Sequence, residues 1–368
     1  MSTFKLSDYD CIGFDLDHTL LWYNVTNMIE MEYQVLSKYL VTKKNYNPEF
    51  LQKPLTPKDI DFMQKGLVLD FDRGNILKPD FKGVIQRVNH GIASLSNPLD
   101  VWKGPHSKMM RALMDYYDMP ASLTFARAVD DIDSRSGGKT EKYEAWNDVT
   151  EALMNMYERG QFKKNLGEYF VNLKTNPDKY LRKCSQEIVS WLKELKKNES
   201  YFSALEGYEE AQEVKGDELT RGGIYSQGNW KELKSLFGKI TGKSEPKCLY
   251  LGDNLIQDVF VPAGHAGLDS VVVSEEMHDE GMDHITLPHS DAETMVSNYW
   301  GSYFSVKISI VPAISRQLSL LREPKQQSLK EQRHRTFKMK KMLDKQAEDD
   351  DLREQLRNKD LAVPSTSK

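Results

Sequence analysis

Three things are scarce in this sequence: cysteine, long apolar runs and a surplus of charge of either sign. Cysteine occurs only as Cys11, Cys184 and Cys248, with no paired spacing. That pattern excludes a disulfide framework and a CxxC zinc site, and it fits a reducing compartment. No window approaches the roughly 20 apolar residues that a membrane span needs, and the start MSTFKLSDYD lacks the basic-then-apolar order of a leader. A cytoplasmic protein without a membrane partner is therefore expected. Fifty Lys and Arg against 55 Asp and Glu leave a formal net charge of −5, which gives no reason to expect a nucleic-acid partner. Internal repeats are absent too, and Leu352, Leu356 and Leu361 are too sparse for a heptad seam.

What is present is enough for two domains: 368 residues, 39% of them hydrophobic. Tyr9 to Phe14 (YDCIGF) is a short apolar run ending in carboxylates, the pattern of a buried parallel strand that opens onto a site. A helix is expected from about Asn24 to Tyr39, with Met28, Met31, Val35 and Leu36 on one face. Gly66 to His90 alternates apolar and polar residues around Gly74-Asn75 and Lys82-Gly83, which predicts short antiparallel strands. Helical spacing then returns at Met109 to Tyr117, Tyr143 to Tyr157 and Cys184 to Leu195. Pro246 to Gly252 and Ser270 to Val273 read as two further strands, the first again ending in an acid, Asp253. Strands so far apart in the chain predict an inserted, mostly helical unit between them.

The expected organisation is an α/β core from residues 1–45 and 181–304, a cap insertion over 46–180, and a charged tail over 305–368, helical or disordered. Within the tail's approach, Val306 to Val311 (VKISIV) is β-like.

Asp15 and Asp17 follow the first strand in DLDHTL, where both carboxylates can turn into the crevice beyond its end. A carboxylate is a competent nucleophile toward phosphorus, and an aspartyl-phosphate splits one hard hydrolysis into two easier displacements. Asp15 is the candidate. A neighbouring carboxyl group can protonate the leaving alkoxide and later deprotonate water, which suits Asp17. Two unit charges 4 Å apart repel by about 4 kcal/mol at an effective dielectric of 20, so an anion attacking a phosphate needs a cation. Magnesium takes oxygen ligands and needs only one or two carboxylates. Asp15, Asp253 and the backbone carbonyl of Asp17 are the candidate ligands, with Asp258 as a more distant support. A bland alternative is that an Asp-x-Asp caps the next helix. A second strand ending in Gly252-Asp253 with Asp258 beyond it argues against that. His18 reads as a packing group, Thr19 as a helix cap, and Gly137-Gly138 and Gly222-Gly223 as turns.

With DLDHTL and YLGDNLIQD in hand, the chain resembles the haloacid-dehalogenase (HAD) superfamily. The stretches GLVLDFDRGNILKPDFKGVIQRVNHG and GGIYSQGNWKELKSLFGKITGKSEPKCLYLGDNLIQDV are similar to the cytosolic purine 5'-nucleotidase family, most closely its 5'-nucleotidase domain-containing branch. The resemblance covers about Tyr9 to Phe304. It implies a Rossmann-type core with a parallel sheet and an inserted cap, magnesium, and nucleoside 5'-monophosphates as substrates. It also implies a Ser or Thr at the end of a second core strand and a Lys further on, both gripping the phosphoryl group.

Neither has a counterpart in this sequence, which runs from the helix ending near Lys197 straight into acidic, loop-like text. A segment is missing near Asn198-Glu199. Losing one such donor typically costs about 10²- to 10³-fold in rate, and the strand at Ile12 to Phe14 loses a neighbour and keeps an open edge. The implied alternative is an impaired relative that binds magnesium or a phosphate ligand without efficient turnover. Lys215, Lys231 and Lys247 are candidate substitutes for the lost ammonium, and VKISIV for the lost strand.

Overall fold

Local chemistry sets the boundaries of the longest helices. In the computed structural model α1 spans Val25–Lys44; the Asn24 side chain accepts from the Asn27 amide at its start, and Asn45 takes the left-handed conformation at its end. The structure describes residues 5–80, 83–96, 110–198, 203–205, 224–226, 230–275, 297–301 and 303. Tail residues 305–368, VKISIV, Lys215 and Gly222-Gly223 lie outside them.

The strands are β1 (Cys11–Phe14), β2 (Trp22–Tyr23), β3 (Leu67–Asp70), β4 (Asn75–Pro79), β5 (Ile85–His90), β6 (Ala93–Ser94), β7 (Met110–Leu113), β8 (Leu181–Arg182), β9 (Ser203–Leu205), β10 (Ile224–Ser226), β11 (Cys248–Gly252) and β12 (Asp269–Val272). After α1 come α2 (Pro48–Leu51), α3 (Pro57–Phe62), α4 (Met119–Ser136), α5 (Ala145–Met156), α6 (Arg159–Lys164), α7 (Glu168–Thr175), α8 (Pro177–Tyr180), α9 (Gln186–Asn198) and α10 (Trp230–Thr241).

The fold is mixed α/β. A parallel sheet has the order β1-β11-β12, with Cys11 opposite Cys248 and Phe14 opposite Leu251. Gly13 is required here because a Cβ would stand 2.8 Å from the Tyr250 ring. Trp191 of α9 meets Phe14 edge-on at 5.7 Å and so covers β1. Among the described residues β1 has no strand on its other edge. An antiparallel sheet of order β6-β5-β4-β3-β7 forms separately, its β3-β4 connection passing through Gly74 at a φ of 69°. A two-strand ladder of β2 with β8 sets Trp22-Tyr23 beside Leu181-Arg182.

Two sequence expectations fail. Met109 to Tyr117 was expected to be helical, yet Met110–Leu113 is a strand paired along its length with β3, and Tyr116–Asp118 is a 3₁₀ turn. Pairing with a neighbouring buried strand overrides a short helical spacing. The loop-like text after α9 contains β9 and β10, a parallel pair of three residues each. Strands that short carry too few positions for alternation to register.

The main core lies between α1, α4, α5 and their neighbours. Ile29, Leu36 and Leu40 of α1 and Leu123, Phe125, Ala126 and Ala128 of α4 are fully buried. The alanines of α4 let the helices approach closely, and the wholly buried residues of both faces are the ones whose truncation would leave cavities. Residues 297–301 close onto this layer: the amides of Asn298 and Tyr299 donate to Asp61, and the Trp300 indole donates to the Phe62 carbonyl. All described residues belong to one compact unit, 1–310.

Glu32 is an acid inside this core. Burial drives its carboxyl well above the ordinary value of 4.5, partly offset by a hydrogen bond of 2.9 Å from the Tyr157 hydroxyl. The folded chain therefore holds a proton that the unfolded chain releases, so the stability is fully present below about 4.5 and declines as pH rises toward the folded-state value. Glu32→Gln keeps the shape and has no proton to lose. Its stability relative to the parent should rise from pH 5 to pH 8, by at most about 1.4 kcal/mol per pH unit. Thermal unfolding at both pH values measures this; parallel slopes for the two proteins would refute it.

Candidate active site

The parallel sheet brings together carboxylates that are more than two hundred positions apart. Asp15 follows β1 and Asp253 follows β11, and the Asp15 amide extends the ladder by donating to the Leu251 carbonyl at 2.8 Å. Ladder register thus places Asp15 level with Gly252, one residue from Asp253. Asp258 arrives from the π-helical turn Leu255–Phe260, whose start is capped by the Asn254 side chain accepting from the Ile256 and Gln257 amides. One carboxylate oxygen each from Asp15, Asp253 and Asp258 lies within 4.8 Å of the others. Asp258 is buried, accepts from the Asn254 amide at 2.9 Å, and is pushed above the usual carboxylate range by that burial. Gly252 makes room for it: a Cβ there would stand 2.4 Å from the Asp258 carboxyl carbon.

The donor set is all oxygen and all anionic, which suits a hard divalent cation. Asp258 enters this trio directly, although sequence reasoning gave it only a supporting place.

Asp17 is held differently. Its two oxygens accept from the Tyr23 hydroxyl at 2.7 Å and the Tyr117 hydroxyl at 3.0 Å. Burial first, and the neighbouring carboxylate with it, raises the Tyr23 hydroxyl; burial, Tyr23 and Asp17 raise Tyr117. Both tyrosines therefore remain protonated donors. The spacing along the chain offered no signal for Tyr117, which is 100 residues from Asp17.

The loop that carries these acids is a tight turn. Amides of Leu20 and Leu21 both donate to the Leu16 carbonyl, and His18 has a φ of 53°. His18 is a packing group, as its isolation in the sequence suggested: it is buried and stacks on Tyr116 with centroids 3.8 Å apart. Thr19 was expected to cap the following helix, but Asn24 caps α1 instead. The four residues between them turn the chain before the helix can start.

Of the candidate substitute lysines, Lys231 stands exposed in the first turn of α10. Lys247 does not reach the site. It precedes β11 while Asp253 follows it, a separation of about 20 Å at 3.3 Å per strand residue. Its ammonium instead lies over the Tyr9 ring at 4.3 Å.

A family model described as the 5' nucleotidase family matches residues 1–205. The chain belongs to the 5' nucleotidase family. Among its relatives, a Homo sapiens protein named 5'-nucleotidase domain-containing protein 1 is 30% identical over 341 residues, covering 76% of this chain and 74% of the relative. A Bos taurus protein of the same name is 29% identical over 380 residues, covering 83% of each chain. That alignment is longer than the 368 residues of this chain, so the bovine relative contains residues that this member lacks. At the level of the family the chemistry is hydrolysis of nucleoside monophosphates, and a divalent metal fits the acidic trio. No helix among the described residues is long and apolar enough to cross a membrane.

Proposed function

We propose that this chain is a phosphomonoesterase that hydrolyses nucleoside 5'-monophosphates through an aspartyl-phosphate. The observation that carries the reading is the convergence of Asp15, Asp253 and Asp258 at the carboxyl ends of β1 and β11. An Asp15 oxygen attacks phosphorus as the ester P–O bond breaks, and the Asp17 carboxyl group gives its proton to the departing 5'-oxygen. Asp17 then takes a proton from water, which attacks the phosphoryl group, releases phosphate and restores Asp15. Tyr23 and Tyr117 orient Asp17 through their hydroxyls.

Magnesium is the cation this reading assigns, held by Asp15, Asp253 and the Asp17 carbonyl, with Asp258 beside them. Bound there it would offset the charge that gathers between Asp15 and the phosphate. We further divide the chain into a core of 1–45 with 181–304 and a cap of 46–180. The β2-β8 ladder supports this division by setting the outgoing and returning strands side by side. The cysteine pattern supports a cytoplasmic location.

Purified protein with magnesium and a panel of nucleoside monophosphates tests the reading. Phosphate release that stops on chelation of the metal is expected, and no release from any member of the panel rejects hydrolysis. A second reading, a member that binds magnesium or a phosphate ligand with impaired turnover, is favoured by the open edge of β1 among the described residues and by the residues that the bovine relative has in excess. We place the lost segment between α9 and β9. Ligand-dependent stabilisation without phosphate release would select this second reading.

A further inference from the structure

The three cysteines have no paired spacing along the chain, yet the parallel sheet makes a pair of two of them. Cys11 of β1 stands directly opposite Cys248 of β11 in the ladder. Opposed residues of neighbouring parallel strands project to the same face, here the face on which Gly13 leaves room for the Tyr250 ring two positions further along both strands. The Cys11 thiol donates to the Cys248 sulfur, and the Cys248 thiol donates in turn to the Pro246 carbonyl at 3.4 Å. Neighbouring strands run about 4.7 to 4.9 Å apart, inside the span of roughly 4.4 to 6.8 Å between Cα atoms that a disulfide bridges. Cys184 precedes α9 and takes no part in this ladder.

We propose that Cys11 and Cys248 are a reversible oxidation site at which a hydroperoxide closes a disulfide that latches β1 to β11. Cys11 is the partly exposed member of the pair and Cys248 the buried one, which sets the order of events. The Cys11 sulfur attacks one peroxide oxygen, the O–O bond breaks, the departing hydroxide takes up the thiol proton as water, and Cys11 becomes a sulfenic acid. The Cys248 sulfur then attacks the Cys11 sulfur, the S–O bond breaks, and a second water leaves with the Cys248 proton. Two thiols are oxidised, one peroxide is reduced to two waters, and the chain loses two hydrogens.

Burial first, with Cys248 and Asp10 beside it, pushes the Cys11 thiol up to about 12. Burial and Asp10 raise Cys248 as well, against the opposing effects of the Cys11 thiol and Lys234. Thiolate is the attacking form, so the pair stays reduced under mild conditions and answers to strong or sustained oxidation. The latch acts on the strands that matter most: β1 leads to Asp15, β11 leads to Asp253, and among the described residues β1 has no other strand beside it. The site does not depend on the phosphomonoesterase reading.

Hydrogen peroxide added to the full chain without denaturant tests it, with the parent compared to Cys11→Ser, Cys248→Ser and Cys184→Ser. The parent and Cys184→Ser should each lose two titratable thiols and about 2 Da, reversed by dithiothreitol. Cys248→Ser should instead accumulate a dimedone-trapped sulfenic acid at Cys11, and Cys11→Ser should form no crosslink. The initial rate should rise about tenfold per unit from pH 7 to pH 9, since the thiolate population does. Closing a loop of this length should raise the urea midpoint of the oxidised parent by about 0.5 to 1 M over the reduced parent. Peptide mapping of the oxidised parent locates the bond even if a serine variant does not fold. A bond that contains Cys184, oxidised sulfurs without a crosslink, or a crosslink joining two chains overturns the proposal. A flat pH profile or an unmoved urea midpoint does so too.

Discussion

Asp15→Asn should abolish phosphate release and, in the absence of divalent metal, make the protein more stable. Both effects come from the same three carboxylates. Removing a nucleophile from an enzyme that works through a covalent intermediate costs on the order of 10⁴- to 10⁶-fold in kcat, because Asn occupies the same space and cannot attack phosphorus. The stability effect has the opposite sign. Carboxylate oxygens within 4.8 Å of one another repel by about 3 kcal/mol per pair at an effective dielectric of 20, and partial exposure reduces that. Neutralising one of them should raise the unfolding free energy in EDTA by about 1 kcal/mol. Saturating magnesium should reverse the order of the two proteins, since a cation at 100 times its dissociation constant adds about 2.7 kcal/mol to the protein that still binds it. Thermal unfolding of parent and variant, each with EDTA and with magnesium, gives all four values. A variant that keeps turnover, or a pair of proteins that respond identically to metal, would remove Asp15 from the site.

That crossing of effects shows why the carboxylates were legible in the chain. A buried parallel strand reads as an unbroken apolar run, so YDCIGF and PKCLYLG stand out, and the acids that end them stand out with them. Helices α1, α5 and α9 were legible for a similar reason, through apolar residues at 3.6-residue spacing. Helix α4 was not, although it is among the most deeply buried. Residues Met119 to Val129 are buried without a break, so this stretch has no exposed face against which an apolar stripe could stand out. The strand β7 was hidden because its partner β3 lies 40 residues away, and pairing leaves no trace in the strand itself. The same limit applies to the site. Tyr117 reaches it from another element, and only the folded chain brings its hydroxyl to Asp17.

The second large effect lies away from the chemistry, at Arg127 of α4. Its guanidinium donates to the Tyr33 hydroxyl at 2.6 Å, to the Lys53 carbonyl at 3.3 Å and to Asp59 at 2.7 Å. Both charges are shielded from water, with 7% of the Arg127 side chain and 16% of the Asp59 side chain exposed. Asp59 also closes the capping box that starts α3, accepting from the Thr56 amide at 2.8 Å. One side chain therefore ties α1, α3 and α4 together around the segment after α2. Arg127→Met fills similar space and leaves the Asp59 charge without its cation, which should cost about 3 to 5 kcal/mol. Pairing it with Asp59→Asn should recover a large part of that loss, because the stranded charge is then gone while the amide can still serve the cap. Urea unfolding of the parent, both single variants and the double variant gives the coupling energy as a cycle. If the two losses simply add, the ion pair is not what joins these helices, and the packing of the fully buried residues around it must carry the stability alone.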